Sequence, residues 1–282
     1  MTDTDTKSLK DLIAARFAMP AEAGADLPAE GTLAQLLRHR THRAYRDEAI
    51  EEDLVQVLLA CALSTPSKSD LQQASIVRVT DMDLRQRIGA LIPDMPWIVA
   101  APEFFVFCGD SRRIRRICEL RGKPFANDHL DAFLNATSDA AMTLQSMIVA
   151  AEAAGLGCCP ISVVRNHIDA VAELLELPDW VFPLAGLCVG WPVRQGFISV
   201  RIPPAIAVHT NRYDDSAFAE QLDSYDHARD AVYSIPQEKQ RMRETYGDSS
   251  FYGWSEDKAR QVSVTERAGV GPYLRRKGFN LD

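Results

Sequence analysis

Residues 38–46 place Arg38, His39, Arg40, His42, Arg43 and Arg46 within nine positions of a chain whose formal net charge is −8. A guanidinium stays charged and presents a planar fork of donors that matches two oxygens of a phosphate or carboxylate. Such a concentration in a chain of pI about 5.3 points to a small, local anion. General nucleic-acid binding would need a dominant basic face, and none is expected here. Arg201 stands alone in the stretch ISVRIPP. An arginine among strand-like residues and prolines needs an anionic partner if it is even partly buried. The competing reading of the cluster is that basic residues after a helix oppose its dipole or stay solvated.

Other chemistries find less support. There is no G-x-G-x-x-G or Walker pattern, so a phosphate would not be held by a glycine loop. The six cysteines, Cys61, Cys108, Cys118, Cys158, Cys159 and Cys188, match no zinc spacing and are expected as small buried hydrophobes in a reducing cytoplasm. Cys158 and Cys159 could form a redox pair, against which stands the strain of the small ring that adjacent cysteines close. His167 and His209 have no partners at metal spacing, and no metal site is expected. Trp97, Trp191, Trp254 and Phe251 serve either as a substrate stack or as packing. The group RRIRR (112–116) is expected as a solvated helix face, with attraction of a nucleotide phosphate as the alternative. No acid–base dyad stands out. The start of the chain has no apolar run behind a basic segment, and the apolar run around Met147–Ala154 contains Glu152 and is too short to span a bilayer. No membrane partner and a cytoplasmic location are therefore expected.

The elements that must position these groups are mixed. Apolar spacing predicts helices over 32–38 and 51–63, strands over 75–81, 103–110 and 184–191, and a helix through 167–177. Ser138 is expected to cap a central buried helix running to Ala154, stopped by Gly155–Gly157, with a short run CCPIS after it. Residues 64–73 form a loop by composition. Residues 111–136 are expected as helical surface, 199–209 as a strand-like segment, and the last seventy residues as a helical arm. Strands and helices mix without the regular βαβ alternation of a doubly wound fold.

In this order the segments resemble the nitroreductase family of FMN-dependent NAD(P)H oxidoreductases, most closely its branch of NADPH nitroreductases and flavin reductases. HRTHRAYRDEAI resembles the family's opening H-R-S-x-R-x-[FY] segment, and TPSKSDLQQAS its P-S-x-x-[ND]-x-Q loop. AAEAAGLGCCPISVVRN resembles its A-x-x-x-G-L-G element and following turn. FPLAGLCVGWPV with the later VRIP resembles its L-G-x-P and P-R-x-P segments. The likeness runs from about residue 33 to 213 and is weaker beyond.

The resemblance implies an α+β fold with a mainly antiparallel central sheet wrapped by helices, in an intertwined homodimer with FMN at the subunit interface. It divides the chain into an N-terminal extension (1–30), an FMN-binding core (31–213) and a C-terminal helical arm (214–282). By the same likeness His39, Arg40, Thr41 and Arg43 hold the phosphate, ribityl chain and ring edge, and Arg201 pairs with the phosphate. Ser67, Lys68, Ser69 and Gln72 come from the other subunit, and Pro160, Ile161, Ser162 and Val163 line one ring face. The implied activity is reduction of a small aromatic acceptor (nitroaromatic, quinone or free flavin) by NAD(P)H, NADPH favoured, in a ping-pong cycle. Reductive removal of a ring substituent, or flavin binding with little turnover, are the alternatives. Three departures stand out: Ser199 and Val200 where relatives carry Lys and Pro, Ser162-Val163 where they often carry Gly-Gly, and no Gly-Gln in IPDMPWIVAAP.

Overall fold

The computed structural model describes residues 8–282. The helices in chain order are α1 (Leu9–Phe17), α2 (Gly31–Arg38), α3 (Glu52–Leu63), α4 (Met82–Ala90), α5 (Trp97–Ala100), α6 (Arg112–Leu120), α7 (Leu130–Ala153), α8 (Ile168–Leu174), α9 (Pro204–Ala207), α10 (Phe218–Val232), α11 (Arg243–Tyr246), α12 (Trp254–Val262) and α13 (Val270–Arg276). The strands are β1 (Ala74–Arg78), β2 (Glu103–Asp110), β3 (Gly157–Ile161) and β4 (Val181–Gly190). They belong to two compact units. One combines the segment ending at His39 with Phe197–Glu266, the other Arg40–Gly196 with Arg267–Asp282. Each unit is assembled from segments far apart in the chain.

The larger unit is built on a four-stranded sheet of order β1-β2-β4-β3 in which each neighbouring pair is antiparallel. Every residue of β2 is buried, so both faces of the sheet must be covered. The period of two along a strand divides its side chains accordingly. Phe105 and Phe107, with Leu187 and Val189 of β4, pack with Leu58 of α3 and Met147 of α7. Phe104, Val106, Cys108 and Cys188 pack with Ile88 of α4, Ile98 of α5, Val171 of α8 and Tyr273 of α13. This is the expected α+β architecture with an antiparallel sheet between helical layers.

Three local expectations change. Ser138 does not cap α7: the helix begins at Leu130, where the His129 ring accepts from the Asp131 N–H, and the Ser138 hydroxyl donates to the Leu134 carbonyl inside it. The apolar stripe Ala132, Ala136, Ala140, Met147, Ala151 runs through the supposed start, so packing overrides the local capping signal. Residues 199–209 form no strand, since Pro203 and Pro204 remove donors and lead into the short α9. The stretch 111–136 contains α6, then a break, then the first turns of α7.

In the smaller unit α1 carries a capping box, Ser8 accepting from the Asp11 N–H while the Asp11 carboxylate accepts from the Ser8 N–H. Its Leu9 and Leu12 pack with Ala29 and with Ala34 of α2.

The edge of the sheet beyond β3 is extended. The His42 N–H donates to the Cys158 carbonyl at 2.8 Å, and Thr41 pairs with Cys158 in a parallel bridge. This close approach requires a glycine: a Cβ on Gly157 would stand 2.7 Å from the His42 ring. Gly157→Ala is therefore expected to cost about 1–3 kcal/mol through overpacking, read from urea denaturation. An unchanged midpoint would mean that residues 41–42 do not sit on β3.

Candidate functional site

The basic segment becomes an added edge of the sheet. Beyond the Thr41 and His42 contacts, the Arg46 N–H donates to the Trp191 carbonyl at 2.8 Å and the Val193 N–H to the Ala44 carbonyl at 3.2 Å. The Tyr45 hydroxyl donates to the His42 carbonyl at 2.7 Å, and burial pushes that phenol far above its ordinary pKa. Arg43 is exposed, with its guanidinium 5.7 Å from the centre of the Trp97 ring. Burial raises the Cys159 thiol, and the neighbouring Arg43 and Trp97 pull it back down. Arg43 thus stands beside the strand that continues into Pro160, Ile161, Ser162 and Val163. Of these Pro160 and Ser162 are exposed, Val163 half-buried and Ile161 buried. The fold therefore brings Thr41 and Arg43 to the same sheet edge as Pro160–Val163. Arg40 is half-buried in the same segment.

The loop with Ser67, Lys68, Ser69 and Gln72 lies elsewhere. It leads into β1, at the opposite edge of the sheet. Ser69, Asp70 and Gln72 all have positive φ (50°, 57° and 51°), a conformation that non-glycine residues keep only when their surroundings over-determine it. The cause is Asp139 of α7, 1% exposed, whose two carboxylate oxygens accept from the Lys68 N–H at 3.0 Å and the Gln73 N–H at 2.8 Å. Ser67 Oγ accepts from the Gln72 N–H, and Arg113 of α6 donates to the Gln72 and Ala74 carbonyls. Lys68, Ser69 and Gln72 are left exposed. The buried Gln73 amide nitrogen has no hydrogen-bond partner, a donor that a ligand can satisfy. Arg113 lies on the solvated face expected for α6 and also braces this loop. Arg115 likewise pairs with Asp128 at 2.6 Å and lies over the Phe125 ring.

His39 and Arg201 belong to the smaller unit. Arg16 of α1 gathers both segments: its guanidinium donates to the His39 carbonyl at 2.6 Å and to the Ser199 carbonyl at 2.9 Å. The Arg201 N–H in turn donates to the Arg16 carbonyl at 2.9 Å. The Arg201 side chain is exposed and close enough to Tyr225 to draw down a phenol pKa that burial raises.

Sequence reasoning missed Arg16, Asp139 and a pair of guanidiniums. Arg267 donates to Asn166 Oδ1 at 2.8 Å and to Ser162 Oγ at 3.3 Å. Arg165 donates to the Leu184 carbonyl, and its pKa is lowered by burial and by the charge of Arg267. No local motif marks either residue. Four of the cysteines are inert by burial, while Cys61, exposed on α3, and Cys118, half-buried on α6, depart from the expected placement. Cys158 packs on one face of the sheet and Cys159 on the other, so the two thiols point apart and cannot pair. Burial raises the thiols of Cys158 and Cys188 well above their ordinary value and pushes Cys108 up to about 12.

The set fits a phosphorylated planar cofactor. The candidate side chains are guanidinium, ammonium, imidazole, hydroxyl and amide groups around short apolar residues, with no carboxylate among them. Among the described residues no group of three or more His, Cys, Asp or Glu is placed to hold a metal ion.

Comparison with known proteins agrees. Residues 36–191 match the model of the nitroreductase family and residues 199–282 that of the nitroreductase family C-terminal domain. The chain belongs to the nitroreductase family. It is 34% identical over 255 residues to the oxygen-insensitive NADPH nitroreductase of Salmonella typhimurium, covering 88% of this chain and 98% of the relative. It is 29% identical to the FMN reductase (NADPH) of Bacillus subtilis, with 88% and 98% covered. Among solved structures, that of NfrA2 from B. megaterium superposes with a TM-score of 0.80 at 29% identity, covering 89% of this chain and 98% of the other. The NADPH:FMN oxidoreductase of Vibrio harveyi, complexed with NAD+, gives 0.76 at 30% identity, covering 88% and 97%.

The Asp139 brace is testable. Asp139→Asn keeps one acceptor and turns an amide N–H₂ toward a backbone N–H. A hydrogen bond to a charged group contributes about 1.5–3 kcal/mol, so stability is expected to fall by about that much, with faster amide exchange at Lys68 and Gln73. Unchanged exchange there would remove Asp139 as the anchor of the loop.

Proposed function

We propose that the chain is an FMN-dependent NAD(P)H oxidoreductase that reduces nitroaromatics, quinones or free flavins. The observation that carries this reading is the seating of residues 41–42 on β3 and of residues 44–46 on the segment 191–193 that follows β4, which brings Arg43 beside Cys159, at the edge where Pro160–Val163 emerge. When bound, FMN would supply two-electron chemistry between the nicotinamide and a small acceptor. The protein's residues bind, orient and bias. His39 and Arg201 hold the phosphate, as charge-assisted donors suited to its oxygens. Arg40 and Thr41 hold the ribityl chain. Arg43 places a fixed cation at the ring edge, where negative charge develops on reduction. Pro160, Ser162 and Val163, with the backbone of the buried Ile161, cover one ring face. NADPH is favoured over NADH by the relatives' names, an oxygen-insensitive NADPH nitroreductase and an FMN reductase (NADPH).

Two copies of the chain complete the site in this reading. Neighbouring strands lie about 4.8 Å apart, so the β1 edge, with Ser67, Lys68, Ser69 and Gln72, stands roughly 19 Å from the segment added beyond β3. A loop at that distance serves better across a two-fold axis than within its own chain. Exposed Val57 and Leu63 of α3, Leu120 of α6 and Leu134 of α7 supply apolar surface for such pairing. Six unpaired cysteines support a reducing compartment, the cytoplasm. No helix among the described residues is long and apolar enough to cross a membrane.

Protein denatured after purification is expected to release FMN; release of FAD, or failure to rebind any flavin, refutes the cofactor assignment. Shared sites are tested by mixing. Arg40→Glu and Lys68→Glu homodimers are each expected to lose most NADPH–quinone turnover. Refolded together, about half of the dimers pair one chain of each kind, and each of these holds one intact site. Recovered activity supports the shared site. A mixture as inactive as its parents, while wild type survives the same refolding, overturns it.

A further inference from the structure

We propose that Arg16, in the helix that precedes the family-matched region, is a positioning residue for the cofactor phosphate; this rests on the phosphate role given above to His39 and Arg201. Arg16 lies outside both matched ranges, 36–191 and 199–282. It is 5% exposed, and a buried guanidinium carries a desolvation cost that its partners must offset. Those partners are main-chain carbonyls of the two segments in question. Nε and Nη2 donate to the Leu37 carbonyl at 3.1 and 2.6 Å, Nη2 also to the His39 carbonyl at 2.6 Å, and Nη1 to the Ser199 carbonyl at 2.9 Å. The bond from the Arg201 N–H to the Arg16 carbonyl closes the arrangement.

One side chain thus fixes the backbone under both His39 and Arg201. The planar fork is what allows it: five donors in fixed directions reach three carbonyls, which a single ammonium cannot do. The helix beneath is anchored by Leu9 and Leu12, so the guanidinium is presented from a packed element. The segments are thereby held at a set spacing, so that the side chains of His39 and Arg201 are presented to the phosphate from a fixed backbone. Loss of Arg16 should therefore weaken recognition of the phosphate and leave recognition of the ring untouched.

FMN and riboflavin differ only in that phosphate, so their affinity ratio isolates the effect. Flavin-free full-length protein is titrated with each, following flavin fluorescence, in wild type, Arg16→Met, Arg16→Lys and Arg201→Ala. Wild type is expected to prefer FMN. Arg201→Ala is expected to cut that preference tenfold to a hundredfold and Arg16→Met on the order of tenfold, each with riboflavin affinity unchanged. Arg16→Lys, keeping the charge without the fork, is expected in between. A wild-type ratio in Arg16→Met, or equal loss of both flavins, overturns the proposal. If Arg16→Met does not fold, Arg16→Lys decides, and a wild-type ratio there overturns it. A wild type that does not prefer FMN, or an Arg201→Ala protein with an unchanged ratio, refutes the phosphate reading itself.

Discussion

The two central strands are buried on both faces, and this constrains everything else in the larger unit. Phe104, Phe105, Val106 and Phe107 are all without solvent exposure, so β2 and its partner β4 are committed to packing on either side. A polar or charged side chain there would need a partner inside a layer of hydrocarbon. Chemistry is thereby displaced to the margins of the sheet. One margin carries the 67–73 loop ahead of β1, the other the 41–46 segment, which meets β3 at Cys158 and then pairs with residues 191–193. The separation of these two segments follows from the sheet order.

At the margins, order has to come from elsewhere, and the protein uses buried charges aimed at the main chain. In the larger unit Asp139 holds the loop by two backbone N–H groups. In the smaller one Arg16 holds two segments by backbone carbonyls. Both devices have the same logic. Main-chain bonds fix where a segment lies without drawing on its side chains, and Lys68, Ser69 and Arg201 are exposed. The positive φ values at Ser69, Asp70 and Gln72 show the strain such an anchor sustains.

How much of this was legible depended on whether the signal was local. The strand expected at 103–110, with its apolar run 104–108, coincides with β2, and the helices expected at 32–38 and 51–63 differ from α2 and α3 by a residue at their starts. These are periodic or continuous apolar patterns, and burial reads them directly. The start of α7 was misplaced because Ser138 is a good cap in isolation, while the buried alanine stripe extending upstream decides the matter. The basic segment and the loop around Lys68 were visible through residue type. What holds them was not: Asp139 acts on residues about seventy positions earlier and Arg16 on Ser199, far along the chain. A long-range hydrogen bond from a side chain to a carbonyl leaves no mark in composition or spacing. The opposed directions of Cys158 and Cys159 were legible in principle, since adjacent strand residues face opposite sides.

The charge distribution poses a final question of scale. A chain of net charge −8 would repel a phosphate dianion if charge acted at long range. At physiological ionic strength the screening length is about 8 Å, shorter than the width of the four-stranded sheet. The potential an anion meets is thus set by its immediate neighbours, and no carboxylate occurs between Arg38 and Arg46. Dispersed acidic side chains keep the protein soluble at no cost to the site, because the solvent screens them first. The same screening makes the position of each nearby cation decisive, and so ties binding to the rigidity of the segments that carry it.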